Sequence, residues 1–397
     1  MSRPKKKRVV GLDCHPDTFV AGVIVGFTSN SAQIEKVTGS LPIQSLQDWF
    51  LARKDEIDVV VLEASGNSFA IYEQLTDIGL DVLILESESV SRLQKELNET
   101  DRSSAVKIAR VYLSGLTDEV WVPDAKTQER RHVYTAYKQA VTDRTRAINR
   151  IKALLNQKTI RLHRSQKLHQ ESTRTFIQAS RDWSMTESLL LSEAFQDFDR
   201  AAEKAKTLKR IMANEIINDP NLFSLVRIYG LAHITIYGLM SVIGSVKRFP
   251  SAKKLVSYLG VAPGRKISGK TINKAKKGRH GRNDMRPLLV QAAQAILNHR
   301  SKSNPCHSWG HKIAFRRGRS RAIIAVARKI VTSVWYVLNG KAIPIQNHET
   351  RATMTEKLRR LVTHVGIAAV RSMGYRTYAE YIASRMQFFD DSTCKVT

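Results

Sequence analysis

Between residues 8 and 115 short β-branched runs alternate with helical ones, and several of the runs are apolar enough to lie inside a sheet. "VVGLDCH" is followed, after a turn at Pro16-Asp17, by "TFVAGVIVGF", and "AQIEKVTGSL" is a candidate third strand. "SLQDWFLARK" reads as a helix and "DVVVLEAS" as a buried strand. "SFAIYEQLTDIG" is a helix closed by Gly79, and "LDVLILES" is a further strand. Adjacent strands followed by strand–helix alternation predict a mixed sheet covered by helices. Two of these strands carry one acid each, Asp13 and Glu63, and the helix start "NETDRSSAVKIAR" carries a third, Asp101. A buried carboxylate without a partner is costly, so isolated acids in such runs need an explanation.

From about 124 to 217 the strands vanish. In "ERRHVYTAYKQAVTDRTRAINRIKALLNQ", Val133, Ala136, Ala140, Ile148, Ile151, Leu154 and Leu155 fall near three- and four-residue spacing, with basic residues on the other face. That pattern predicts a helical hairpin or coiled coil, either packing on its own protein or serving as an arm for oligomerisation or nucleic acid. "IYGLAHITIYGLMSVIG" resembles a helix-hairpin-helix, although Ala232 stands where the usual turn has a second glycine, and a plain core helix pair fits as well. A very basic loop follows, then two apolar helices around 286–298 and 320–337. The expected division is 1–120, 121–218, 219–340 and a partly helical tail, 341–397, with no assigned role; no internal repeat is found.

Lys and Arg outnumber Asp and Glu by 64 to 36, a net charge of +28. Such an excess is self-repelling unless a polyanion offsets it, so nucleic acid is the first expected partner and an anionic membrane surface the second. No stretch approaches the roughly 20 apolar residues of a membrane span. "MSRPKKKR" leads into a strand and not into the apolar core of a signal peptide; "PKKKRV" resembles a nuclear-import patch but reads better as a basic lead-in. Cys14, Cys306 and Cys394 show no paired spacing, which points to a reducing cytosol and against a disulfide framework or zinc knuckle. The expectation is a cytoplasmic, nucleoid-associated protein that binds double-stranded DNA and no membrane.

The charge concentrates in "GVAPGRKISGKTINKAKKGRHGRNDMRPLL". There Arg265, Lys266, Lys270, Lys274, Lys276, Lys277, Arg279 and Arg282 are candidate phosphate contacts, against one acid, Asp284. Ser268 lies among them. It is a poor nucleophile alone, but metal ions and nearby cations can activate a hydroxyl or the phosphodiester; a loop serine bonded to its own backbone is the simpler alternative.

Singly, each acid also has a simple role: Asp13 in a turn with His15, Glu63 opening a loop with Ser65 and Gly66, Asp101 meeting a helix dipole. Jointly they suggest a metal site of Asp13, Glu63 and Asp101. Clustered carboxylates raise each other's pKa unless a divalent cation binds, and oxygen-only ligands suit Mg²⁺ or Mn²⁺. Two such ions would activate a nucleophile and stabilise the leaving oxygen in phosphodiester cleavage.

Together these stretches resemble the DEDD transposases of bridge-RNA-guided insertion sequences, relatives of the Piv-type DNA invertases. "VVGLDCHPDTFVAGV" is similar to that family's first strand, with its aspartate at Asp13, and "VVVLEASG" to its glutamate strand, with Glu63. "NETDRSSAVKIAR" resembles its Thr-Asp-x-x-Asp-Ala helix, while "SAKKLVSYLGVAPGRKISGK" and "GRHGRNDMRPLLVQAA" resemble its C-terminal transposase domain, with Ser268 on the serine nucleophile. The resemblance implies an α/β plus α architecture: a ribonuclease-H-like (RuvC-like) mixed-sheet domain, a helical coiled-coil middle and a small helical transposase domain. It implies site-specific recombination guided by a structured non-coding RNA, Mg²⁺ at the acids, and a serine that links covalently to DNA. It also implies a homo-oligomer, dimer or tetramer, in which the two catalytic domains meet between protomers. One position departs: Ser104 stands where the fourth acid belongs. A hydroxyl there brings no charge, which leaves two alternatives open, a metal-dependent junction-type nuclease and a catalytically impaired nucleic-acid-binding relative.

Overall fold

The computed structural model describes residues 6–95, 104–262, 265–268, 271–274, 281–299, 304–341 and 351–394. The chain divides into two compact units, Met1–Pro123 and Asp124–Thr397.

In the first unit the strands are β1 (Lys7–Cys14), β2 (Thr18–Gly26), β3 (Gln33–Val37), β4 (Leu41–Pro42), β5 (Val59–Glu63) and β6 (Val82–Leu85). The helices are α1 (Leu46–Leu51), α2 (Ser68–Asp77), α3 (Ser87–Lys95) and α4 (Ser104–Leu113). The sheet order is β3-β2-β1-β5-β6, with β4 also on β2. β1, β2 and β3 pair antiparallel, whereas β1, β5 and β6 run parallel. This is the mixed sheet the alternation predicts. The apolar runs are nearly continuous because both faces are covered. Val10, Leu12, Val60 and Leu62 enter one core with Phe50 and Leu75, while Val9, Val59 and Val61 enter another with Val106, Ile108 and Ala109 of α4.

Two glycines set how closely α4 approaches. Gly11 and Gly22 face each other across β1 and β2. A Cβ on Gly11 would lie 1.8 Å from the Ala105 carbonyl oxygen, and one on Gly22 would lie 2.8 Å from the Val106 nitrogen. The helix therefore rests on bare backbone. It runs opposite to β1: Lys7, at the strand's start, donates to the Tyr112 hydroxyl at 3.2 Å, whereas Ala105 lies over Gly11.

The second unit begins with α5 (Ala125–Gln157), α6 (Glu171–Ala179) and α7 (Met185–Asn218). Ion pairs Arg130–Glu215, Arg150–Asp197 and Lys158–Glu187 show that α5 and α7 are antiparallel. Asp124 and Ser184 cap the two helices, the latter in a capping box with Glu187. Ala147, Ile151, Leu155, Leu191 and Phe195 form a core toward one end of the pair, together with Ile177 of α6.

At the other end, Tyr134, Met212 and Ile216 join a larger core. It is built with α8 (Pro220–Ser224), α9 (His233–Ile243), α10 (Ala252–Tyr258), α11 (Arg286–Asn298), α12 (Pro305–Arg317) and α13 (Arg319–Leu338). α14 (Arg351–Val365), α15 (Ile367–Ser372) and α16 (Tyr378–Cys394) add Leu358, Leu361, Val370 and Tyr381 to the same core. The divisions drawn near 218 and 340 thus fall inside one unit. Arg130, only 5% exposed, ties the pair to α8 by bonding Glu215 and Asp219, each at 2.6 Å.

Within the hairpin-like segment, 228–244, the one α-helix is α9, entered after the turn at Gly230 and preceded by the short α8. α9 is buried from Thr235 to Ile243, Gly230 turns the chain at φ 83°, and Lys357 of α14 donates to the Val226 and Ile228 carbonyls at 3.1 and 2.8 Å. The basic segment holds a small hairpin, β7 (Arg265–Ser268) against β8 (Thr271–Lys274), where the sequence suggests a loop.

Candidate active site

Strand alternation decides where the acids point. Asp13 follows Val9 and Gly11 on β1, and Glu63 follows Val59 and Val61 on β5, so both belong to the face that carries α4. The parallel register pairs Leu12 with Leu62; one step further brings Asp13 and Glu63 side by side at the carboxyl edge. α4 runs opposite to β1, so its first residue, Ser104, lies at this same edge. The loops are tied across it: the Asn67 side chain donates to the His15 carbonyl at 3.2 Å, and the Ser87 hydroxyl to the Ala64 carbonyl at 2.5 Å.

The electrostatics agree. Burial raises the Glu63 pKa above the ordinary carboxylate value; a hydrogen bond from Ser87 opposes that shift, and the Asp13 charge adds to it. Burial, then Asp13, pushes the Cys14 thiol to about 12, so Cys14 is a neutral thiol at ordinary pH, packed against the core on the opposite face of the sheet. Two half-buried carboxylates on neighbouring strands, with the Asp13 charge opposing ionisation of Glu63, fit a divalent cation, which would reverse the penalty. Ser87 is a neighbour that motif reading misses; its signal is a serine two residues past the end of an apolar strand that lies beside the glutamate strand.

Asp101 lies outside the described residues, and among the described residues no three His, Cys, Asp or Glu side chains converge on a metal position. Of the basic candidates, Lys270, Lys276, Lys277 and Arg279 also lie outside, and Arg265, Lys266, Ser268 and Lys274 are placed by backbone alone. Ser268 ends β7, in register with Thr271. Arg282 is engaged within the protein: its guanidinium forks onto Asp284 at 2.9 and 3.0 Å. That contact, with burial opposing it, raises its pKa.

Residues 10–160 match the DEDD transposase model of IS110-type elements. Residues 224–307 match the model described as the transposase IS116/IS110/IS902 family. The chain belongs to this DEDD transposase family. It is a DNA transposase/recombinase, and DNA is its partner. Among its relatives, the transposase for insertion sequence element IS1111A of Coxiella burnetii is 25% identical over 294 residues, 71% of this chain and 78% of that protein. The y4qE protein of Sinorhizobium fredii, also named as a transposase, is 24% identical over 238 residues, 58% of this chain and 56% of that one. No helix among the transposase's described residues is long and apolar enough to cross a membrane.

Proposed function

We propose that this transposase cuts and exchanges DNA strands at the edge formed by Asp13 and Glu63, with Asp101 as the third acid and Ser268 as the nucleophile. The juxtaposition of Asp13 and Glu63 beneath the start of α4 carries the reading. Asp13, Glu63 and Asp101 would hold Mg²⁺ or Mn²⁺, which supplies Lewis-acid stabilisation of the leaving oxygen. The Ser268 hydroxyl gives up its proton and its oxygen bonds to phosphorus. The phosphorus–sugar oxygen bond breaks and the sugar oxygen leaves as a protonated hydroxyl; the reverse step, with a different strand's hydroxyl, reseals the DNA. The basic residues from Arg265 to Arg279 steer phosphates, while Arg282 orders the segment through Asp284. In this reading a structured guide RNA pairs with donor and target sites, and the active form is a homo-oligomer.

A cleavage assay on the element's own ends tests the acids. Glu63→Gln should reduce Mg²⁺-dependent cutting by 100-fold or more, on the order of the loss seen when a transition-state charge stabiliser is removed. Cutting at the parental rate would remove Glu63 from the site. Ser104 favours a weakened site as a second reading, because it opens α4 at that edge without a charge. If so, Ser104→Asp should raise the rate or lower the Mg²⁺ required; an unchanged rate counts against that reading.

A further inference from the structure

The end of α12 exposes a side chain that an aqueous surface does not explain. Phe315 is 94% exposed, while Cys306, His307 and Gly310 of the same helix are buried against the core. Ser308, Lys312 and Phe315 recur at helical spacing on the outward stripe and, with His311 and Arg316, line one shallow hollow. Arg316 and Arg317 close α12, Gly318 turns the chain at φ 85°, and Arg319 and Arg321 open α13. All four arginines and Lys312 are exposed. Among the described residues no carboxylate pairs with any of them, and the sequence has no acid between Asp284 and Glu349. Among the described residues, Arg319 bonds the Asn298 side-chain oxygen, and Arg316 and Arg321 reach backbone carbonyls one turn earlier.

An uncovered aromatic ring ringed by uncompensated cations has the chemistry of a base-stacking contact. The cations meet phosphates; the ring meets a base face, which a strand offers only where it is unpaired. We propose that this tip is a second DNA contact, distinct from the basic segment around Ser268. There Phe315 stacks on an unpaired base of single-stranded DNA, and Lys312, Arg316, Arg317, Arg319 and Arg321 hold the flanking phosphates. The enzyme's activity on DNA favours DNA over RNA as the occupant.

The test uses the full chain and a short single-stranded DNA carrying 2-aminopurine, with a blunt duplex and an RNA of the same sequence alongside. Phe315→Ala should weaken single-strand binding roughly 5- to 100-fold, the range for losing one base–aromatic stack. It should also abolish the 2-aminopurine quenching, with the melting temperature and salt slope unchanged. Phe315→Trp should retain affinity and quenching. Arg316→Gln with Arg317→Gln should instead flatten the salt dependence, by about 0.7 per lost phosphate contact. Parental single-strand affinity in Phe315→Ala, an equal loss on the duplex, or a larger loss on RNA would each overturn the proposal. A lowered melting temperature in Phe315→Ala would overturn it too, because the ring would then be packing within the protein.

Discussion

Burial and the Asp13 charge both oppose ionisation of Glu63, and only the Ser87 hydrogen bond works the other way. Its pKa is therefore higher folded than unfolded, and the folded state holds the proton more tightly. Stability of the first unit falls as pH rises from about 4.5, the ordinary glutamate value, through the folded pKa, and the deficit persists at neutral pH. Without metal, Glu63→Gln should melt no lower than the parent at pH 7, while Mg²⁺ should raise the melting temperature of the parent and not of the variant. A lower melting temperature in metal-free buffer would mean that Glu63 holds the fold and not a cation. Gly11 is constrained in the opposite way. Gly11→Ala drives a methyl into the Ala105 carbonyl and should cost about 3 kcal/mol in urea unfolding, with loss of cleavage as α4 shifts. The place of Asp13 and Glu63 near the ends of β1 and β5 was legible in the sequence because each acid ends an apolar run. Gly11 and Gly22 were not, since the need for a bare backbone arises only when α4 lands on the strands.

Among the elements, the long helices announced themselves through apolar spacing, and their antiparallel pairing is fixed by charges at matching depths. α12 was missed although Asn304 and Pro305 spell a helix start. Gly310 and His307 sit on its inward face, so its apolar stripe is broken, and the reason for Gly310 is a close approach to Leu297 and Val326. β7 and β8 were hidden by lysines and arginines that mask strand alternation. At the base of the helix pair, burial by itself raises the Asp219 pKa, but bonds from Lys126 and Arg130 and the Leu222 amide bring it below the ordinary value. Its contribution to stability is therefore complete above about 3.8 and is lost as pH falls through the lower folded value. Arg130→Met leaves Glu215 and Asp219 without their buried partner and should cost about 3–5 kcal/mol, read by urea unfolding of the second unit. An unchanged midpoint would show that water already screens the network.

Over the whole molecule, the positive charge and the α/β-then-α order were visible from the start, because composition and periodicity report them directly. The place of the tail was not: Leu358, Leu361 and Tyr381 enter a core that also holds Met212, Ile216 and Val226, more than a hundred residues earlier, and no local pattern records that. Glu63 and Ser268, which the proposal joins in one reaction, lie about 200 residues apart, one in each unit, and no local pattern links them. The proposed serine chemistry is tested most directly by incubating the full protein with its element's DNA end and Mg²⁺, denaturing it, digesting it and weighing the peptides. A nucleotide adduct is expected on the peptide containing Ser268, absent from Ser268→Ala and from Glu63→Gln. Cleavage by Ser268→Ala at the parental rate, with no adduct in the parent, would contradict that chemistry.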